Sequence, residues 1–287
     1  FQAEDGIRDR SPSRGLGDVY KRQPGWSPSE STIGETFKRL FPQWKGRRLI
    51  VSCFASHLHR VQQICDVAIR EGRTIFPLGR SMVNNIRIAQ EIGVLDLPAR
   101  SVDSIDRLNE YDPEDVCVIC TGSQGEPNAA LSLLARGNHP DFSLSEDDVV
   151  LLSSHPIPGN ELPVYRIINR LTRVGCEVVH DGYEHVHTTG HAQREELHRL
   201  YQLVLPEWYV PIEGEHRMLR RNADLATEAG HAKDRSIVAS DGDQLILDDE
   251  GLRISGQIPA PYRYVDGLLD DLSGELLEDR RKLGESG

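Results

Sequence analysis

From Arg48 onward, short apolar runs alternate with amphipathic stretches, and this pattern constrains the fold more than any other feature of the chain. Arg48–Phe54, Thr74–Leu78, Asp115–Cys120, Asp148–Ser153 and Glu177–His180 have the length and composition of buried strands. Between them, His57–Glu71 carries Leu58, Val61, Ile64, Cys65, Ala68 and Ile69 on one helical stripe. Met82–Ile92, ended by Gly93, Pro127–Ala135, and Leu162–Val174, followed by Gly175, are also expected to be helices. Further on, helices are expected at Gln193–Leu205 and Arg217–Glu228, and strands at Glu207–Ile212, Ser236–Ala239 and Gln244–Leu247. Strands alternating with helices imply an α/β fold with a mainly parallel sheet. No internal repeat is visible.

At 287 residues the chain is long enough for one large or two smaller cores. No run reaches the length of a membrane-spanning helix and no signal sequence opens the chain, so a cytoplasmic location with no membrane partner is expected. The net charge of -12 excludes a generic nucleic-acid coat, because polyphosphate binding needs a broadly basic surface. An acidic protein acts on RNA only through a local groove of donors. The five cysteines form no disulfide framework. Cys117 and Cys120 lie within an apolar strand, where positions i and i+3 face opposite sides, so they read as buried structural thiols rather than a redox pair.

Residues 1–23 have no apolar period and cluster Gly, Arg and Asp. They resemble translated sequencing-adapter read-through and are expected to be foreign to the fold and disordered. The native chain is expected to begin near Pro24.

In parallel sheets, function gathers on loops at the carboxyl ends of strands. Those loops include Ala55–His57, Gly79–Ser81, Thr121–Glu126, Ser154–Pro156, Thr188–His191 and Glu213–Glu215. Thr121-Gly122-Ser123-Gln124-Gly125-Glu126 joins a strand to a helix and matches neither a Walker P-loop nor the dinucleotide G-x-G-x-x-G, which leaves a plain turn and a phosphate contact both open. His185-x-His187, expected on one strand face, and His191 form the densest histidine cluster, readable as metal ligands with Glu213 and Glu215 or as structural residues. His57-x-His59 starts a helix, where i and i+2 diverge, and is read as a non-metal pair with His57 near an anion.

Several motifs, in order, resemble the β-CASP domain of bacterial ribonuclease J, of the metallo-β-lactamase superfamily. They are Pro24-Gly25-Trp26-Ser27-Pro28-Ser29-Glu30, Ser52-Cys53-Phe54-Ala55-Ser56-His57-Leu58-His59-Arg60-Val61-Gln62-Gln63, Leu78-Gly79-Arg80-Ser81-Met82 and Cys120-Thr121-Gly122-Ser123-Gln124-Gly125-Glu126-Pro127. Ile157-Pro158-Gly159-Asn160-Glu161 follows them. His187-Thr188-Thr189-Gly190-His191-Ala192 is similar to the family's H-V-S-G-H-A, Pro211-Ile212-Glu213-Gly214-Glu215 to its P-V-H-G-E, and Tyr264-Val265-Asp266-Gly267 to the start of its linker to a C-terminal domain. The resemblance covers nearly everything from Pro24 onward.

The resemblance implies a β-CASP domain over 24–190, the C-terminal part of a metallo-β-lactamase fold over 191–262, and a linker over 263–287. It implies a 5′-3′ exo- and endoribonuclease of RNA maturation and decay that binds RNA between two domains and forms homodimers or homotetramers. Two metal ions, usually zinc, activate water in that family, with manganese as the alternative expected for this chain. Most of their ligands belong to a motif that precedes the β-CASP insert and is missing here, so the fragment itself is expected to be inactive. His191 is implied to assist proton transfer at the scissile phosphate. His187, Thr188, Thr189, Gly190 and His191 are implied to bind phosphate, with Thr189 keeping the hydroxyl of the family's serine, and Ala55, Ser56 and His57 to contact the RNA backbone. Glu213 replaces a metal-ligating histidine. Either it holds the metal as a carboxylate or the chain derives from a non-catalytic, RNA-binding paralogue. A nucleotide-binding α/β protein using the Thr121–Glu126 loop is the unrelated alternative.

Overall fold

Runs of β-branched and aliphatic residues buried on both faces make strands that have to be covered on both sides. β1 (Leu49–Ser52), β2 (Thr74–Leu78), β3 (Val116–Cys120), β4 (Val149–Leu152) and β5 (Glu177–His180) form a parallel sheet in the order β2-β3-β1-β4-β5. The computed structural model describes residues 25–157, 159–212, 214–261 and 278. The expectations for residues 1–23, for Glu213 and, Glu278 aside, for 263–287 lie outside the described residues.

Two compact units divide the chain. The first, Pro28–Gly190, contains the parallel sheet. Its helices are α1 (Ser31–Leu40), α2 (Leu58–Arg70), α3 (Arg80–Glu91), α4 (Ala130–Leu134) and α5 (Glu161–Val174). α1, α2 and α3 cover one face, where Phe37, Val61, Ile64, Met82 and Ile86 meet Leu49, Val51, Cys117 and Ile119. α4 and α5 cover the other, where Leu131, Leu134, Val164 and Ile167 meet Ile50, Val116, Val118 and Cys120. Cys117 and Cys120 thus lie in opposite cores, as strand parity requires, and all five cysteines are free and buried. Each fully buried aliphatic side chain contributes roughly 1.5–3 kcal/mol, which makes these two layers the main source of stability.

The second unit takes in the described residues from His191 on, with Gly25–Ser27. Its helix α6 (Arg194–Val204) starts with a capping box between Gln193 and Glu196, and α7 (His216–Glu228) packs Leu225 and Ala226 against Tyr201. Glu196 also accepts from the Ser27 main chain at 3.0 Å and hydroxyl at 2.7 Å, which fastens residues 25–27 to this unit. β6 (Asp243–Asp248) pairs antiparallel with β7 (Gly251–Gln257).

Four expectations need correction. Glu207–Ile212 and Ser236–Ala239 are not strands; they meet in one isolated bridge, Tyr209 to Ser236, because Pro206 just before the first segment and Pro211 within it lack the donors a longer ladder needs. Gln244–Leu247 is a strand, but in an antiparallel hairpin whose second arm, β7, was not expected. The Pro127–Ala135 helix begins only at Ala130, since residues 126–129 form a turn closed by Ala129 N–H on Glu126 O at 3.1 Å. His185 and His187 do not share a strand face, because their segment has no strand structure. α1, which was not expected, buries Ile33, Phe37 and Leu40 at helical spacing. Among the described residues no helix is long and apolar enough to cross a membrane.

Candidate functional site

β1 and β3 are neighbours in the sheet, yet the chain leaves them toward opposite faces: β1 feeds α2 and β3 feeds α4. Where connections diverge in this way, the loops at the strand ends part and leave a crevice, the usual ligand site of an open parallel sheet. A cleft of about 930 Å³ occupies that position. It is lined by Cys53–Ser56 after β1, Gly79–Ser81 after β2, and Thr121–Ser123 and Glu126 after β3, with Asn84, Asn85 and Asn128. Ala55 and Ser56, singled out from the sequence, therefore share one cleft with two further loops.

Glycine shapes its rim. Gly122, at φ +109°, lets the β3 loop approach Leu131 N, which donates to Thr121 O at 3.0 Å; a Cβ there would lie 2.9 Å from the Ala129 Cβ. Gly125, at φ +83°, leaves no room for a Cβ, which would come within 2.4 Å of Pro163. Gln124 is buried and ties two loops together: its amide donates to His155 O at 2.9 Å and accepts from Ile157 N–H at 2.8 Å. The loop is therefore a rigid wall rather than a free turn.

His57 caps α2, its Nδ1 accepting from Arg60 N–H at 3.1 Å, while its Nε2 lies 3.7 Å from a Glu30 carboxylate oxygen.

Arg60 is the least expected feature. It is only 1% exposed, and its guanidinium donates to Glu30 at 2.6 Å, to Ser153 Oγ at 2.5 Å and to Val186 O at 2.9 Å. Ser153 Oγ also donates to Val186 O, at 2.7 Å. The segment carrying His187 is thus clamped to the ends of β4 and α2, and Thr188 Oγ1 adds a bond to Pro28 O at 2.9 Å. Its signal in the sequence was a charge on the buried stripe of α2, next to Val61 and one turn before Ile64.

His187 is partly buried and its Nδ1 has no hydrogen-bond partner among the described residues. Burial, and then the nearby Arg60 cation, push its pKa down to about 4, so the ring is neutral at pH 7. Close by, His155 Nδ1 lies 3.0 Å from Asp181. His185 Nε2 is instead 3.3 Å from Thr32 Oγ1. Gly190 is exposed and ends the first unit; His191 opens the second and is exposed. Thr188 and Thr189 are partly buried beside His187 in the chain.

Among the described residues, no group of three or more His, Cys, Asp or Glu is placed to hold a metal ion. The histidine cluster read from the sequence does not fit a metal centre by itself, and Glu213 lies outside the described residues.

A five-stranded parallel sheet with a donor-lined cleft at its switch point defines an α/β domain of the β-CASP class: residues 46–171 match the family model for the ribonuclease J β-CASP domain, and residues 177–238 the model for a Zn-dependent metallo-hydrolase RNA specificity domain. The chain is 40% identical over 264 residues to ribonuclease J of Mycobacterium tuberculosis, covering 92% of this chain and 47% of that protein. It is 39% identical over 265 residues to ribonuclease J of Corynebacterium glutamicum, covering 92% and 37%, and 36% identical over 266 residues to that of Thermus thermophilus, covering 92% and 46%. The chain belongs to the ribonuclease J family. It spans less than half the length of these curated relatives.

Proposed function

We propose that the chain is the β-CASP domain, and the C-terminal part of the metallo-β-lactamase domain, of a metal-dependent ribonuclease that hydrolyses RNA phosphodiesters by 5′-3′ exo- and endonucleolytic cleavage. Its role is RNA maturation and decay in the cytoplasm, as a homodimer or homotetramer. The observation that carries this reading is the cleft between the β1, β2 and β3 loops, where a chain of net charge -12 gathers hydroxyls, amides and an arginine in one place. Ala55, Ser56 and His57 contact the RNA backbone. His187, Thr188, Thr189 and Gly190 hold a phosphate, for which the neutral His187 ring and neighbouring hydroxyls supply hydrogen bonds rather than net charge. His191 moves a proton at the scissile phosphate. Zinc or manganese supplies the Lewis acid in the whole protein. The H-x-H-x-D-H run that the resemblance implies for most of the metal ligands is not in this sequence, and this chain alone binds RNA without cutting it.

The test is to incubate the purified chain with 5′-monophosphorylated RNA and zinc or manganese. Binding without cleavage above a His191→Ala control is expected; cleavage above that control, or no binding, contradicts the reading. Glu213, where the family carries a histidine, favours a second reading, a non-catalytic RNA-binding paralogue. Metal content of the full-length protein decides between them: Glu213→Ala lowers it if Glu213 is a ligand and leaves it unchanged in a non-catalytic paralogue.

A further inference from the structure

We propose that the carboxyl ends of α4 and α5 form an accessory anion subsite, in which Arg136, Arg170 and Arg173 take two adjacent phosphate groups of an RNA strand outside the cleft described above. The identity of the strand rests on the RNA reading above; the phosphate chemistry rests on the arginines alone.

Two helices bring these arginines together. Arg170 and Arg173 lie at i, i+3 spacing on one face of the last two turns of α5. Arg136 follows α4, and its Nε donates to Ser132 O at 3.0 Å, which fixes the stem and leaves the terminal nitrogens of the fork without a partner among the described residues. The three side chains line one shallow cavity of about 450 Å³ with Ala135, Asn138 and Val174. Only Gly175 and Cys176 separate Val174 from the start of β5, so the cavity lies at the amino ends of the strands, whereas the cleft lies at their carboxyl ends.

All three arginines are exposed, and none makes an ion pair with a described residue, although the chain carries 45 Asp and Glu against 33 Lys and Arg. Arginines near a helix end commonly serve the last carbonyls and the dipole. Here the main chain meets those carbonyls. Arg136 and Asn138 N–H donate to Leu133 O at 3.2 and 2.9 Å, and Gly137 N–H to Leu134 O at 2.9 Å. After α5, Gly175 N–H donates to Thr172 O at 3.1 Å and Cys176 N–H to Leu171 O at 3.2 Å. Glu146 packs against Gly175 but pairs with neither Arg170 nor Arg173, and no carboxylate is among the described residues lining the cavity.

The walls select the ligand. Three guanidinium groups around one small cavity repel one another, and each fork matches two oxygens of a phosphate. Two neighbouring phosphates offset that repulsion. An acidic peptide would need an apolar or aromatic anchor for its side chains, and the lining offers only Ala135 and Val174. A phosphate backbone needs charge and donors alone, which the arginines and the Asn138 amide supply.

The experiment titrates a short 5′-hydroxyl oligouridylate into the chain and follows fluorescence anisotropy together with the side-chain Nε–H resonances of Arg136, Arg170 and Arg173. Inorganic pyrophosphate and oligoglutamate are titrated in parallel. We expect the oligonucleotide to shift all three resonances. The double variant Arg170→Gln/Arg173→Gln should bind it roughly tenfold more weakly, with a salt dependence reduced by about two phosphate contacts. Its melting temperature should match the parent's, because neither guanidinium has a partner among the described residues to lose. If the glutamine variant unfolds early, Arg170→Lys/Arg173→Lys keeps both charges at the helix end, and it should retain the salt dependence while losing part of the affinity. A lowered melting temperature with parental affinity and salt dependence would mean that the arginines serve only the helix end, which overturns the subsite. Anisotropy that rises while the three resonances stay still overturns it as well and leaves the RNA reading in place. If the oligonucleotide does not bind but pyrophosphate moves the resonances, the site belongs to free oligophosphates and the RNA reading falls. Oligoglutamate acting as strongly as the oligonucleotide overturns the choice of phosphate.

Discussion

Arg60 donates a 2.9 Å hydrogen bond from its buried guanidinium to the carbonyl of Val186, 126 residues further along the chain. The same guanidinium holds the Glu30 carboxylate in a two-pronged pair. One side chain therefore fixes the start of α1, the end of β4 and the segment bearing His187. A buried arginine is tolerated only when its charge and its donors are met, and here both are.

Replacing Arg60 with methionine should destabilise the first unit by about 3 kcal/mol, because Glu30 keeps its charge and Val186 O loses a donor in a poorly solvated place. Arg60→Lys should recover only part of this, since an ammonium cannot match the two carboxylate oxygens and also reach Ser153 and Val186. Urea unfolding monitored by tryptophan fluorescence measures both. If the Arg60→Met variant unfolds at the parental midpoint, the clamp contributes nothing.

The β3 loop gives a sharper steric test. Gly125→Ala places a Cβ 2.4 Å from the Pro163 Cβ at φ +83°, so overlap and left-handed strain add, and a loss of about 3 kcal/mol is expected. Gly137→Ala, at φ +68° with nothing within 4 Å, carries the strain alone and should lose about 1 kcal/mol. Equal losses in paired denaturation curves would mean that the loop can move away from α5.

Much of this architecture was legible from periodicity. Thr74–Leu78 and Glu177–His180 were bounded to the residue, because each is a short β-rich run closed by a turn. The cleft loops were legible as well, since parallel strands place function at their carboxyl ends. What escaped depends on pairing across the chain. β7 has its partner only through a turn at Asp248–Gly251, and Glu207–Ile212 has strand-like residues but lacks a neighbour to bond along its length. Arg60 escaped because Glu30, Ser153 and Val186 lie far from it in sequence. The loop carrying Ser123 was singled out, but the burial of Ser123 was not legible, because a small polar residue in a turn leaves no periodic trace.

The cysteines should be inert in the native state. Cys53, Cys117 and Cys120 are fully buried, and burial pushes their thiol pKa values up to about 12. The thiolate is the reactive form, so a disulfide reagent at pH 8 should label none of the five until denaturant is added. Rapid labelling of one of these three thiols in the native protein would mean that the sheet opens locally.

The last prediction concerns acid. His187 has its pKa lowered from 6.5 to about 4, first by burial and then by the Arg60 cation, against a smaller opposing pull from Asp181. His139 and His180 are lowered too, each mainly by burial. A histidine whose folded pKa is depressed binds a proton more readily when unfolded. Its contribution is therefore fully present above about pH 6.5 and is lost as pH falls toward about 4. At roughly 1.4 kcal/mol per pKa unit, His187 alone accounts for on the order of 3 kcal/mol of lost stability by the bottom of that window. His187→Gln removes the titration but keeps an amide of similar reach, so its stability should fall less steeply between pH 6.5 and 4 than the parent's, and the two should differ little in slope above pH 7. Unfolding free energies measured across this range for both proteins test the claim. Parallel curves would show that His187 titrates normally and that the acid sensitivity lies with the carboxylates instead.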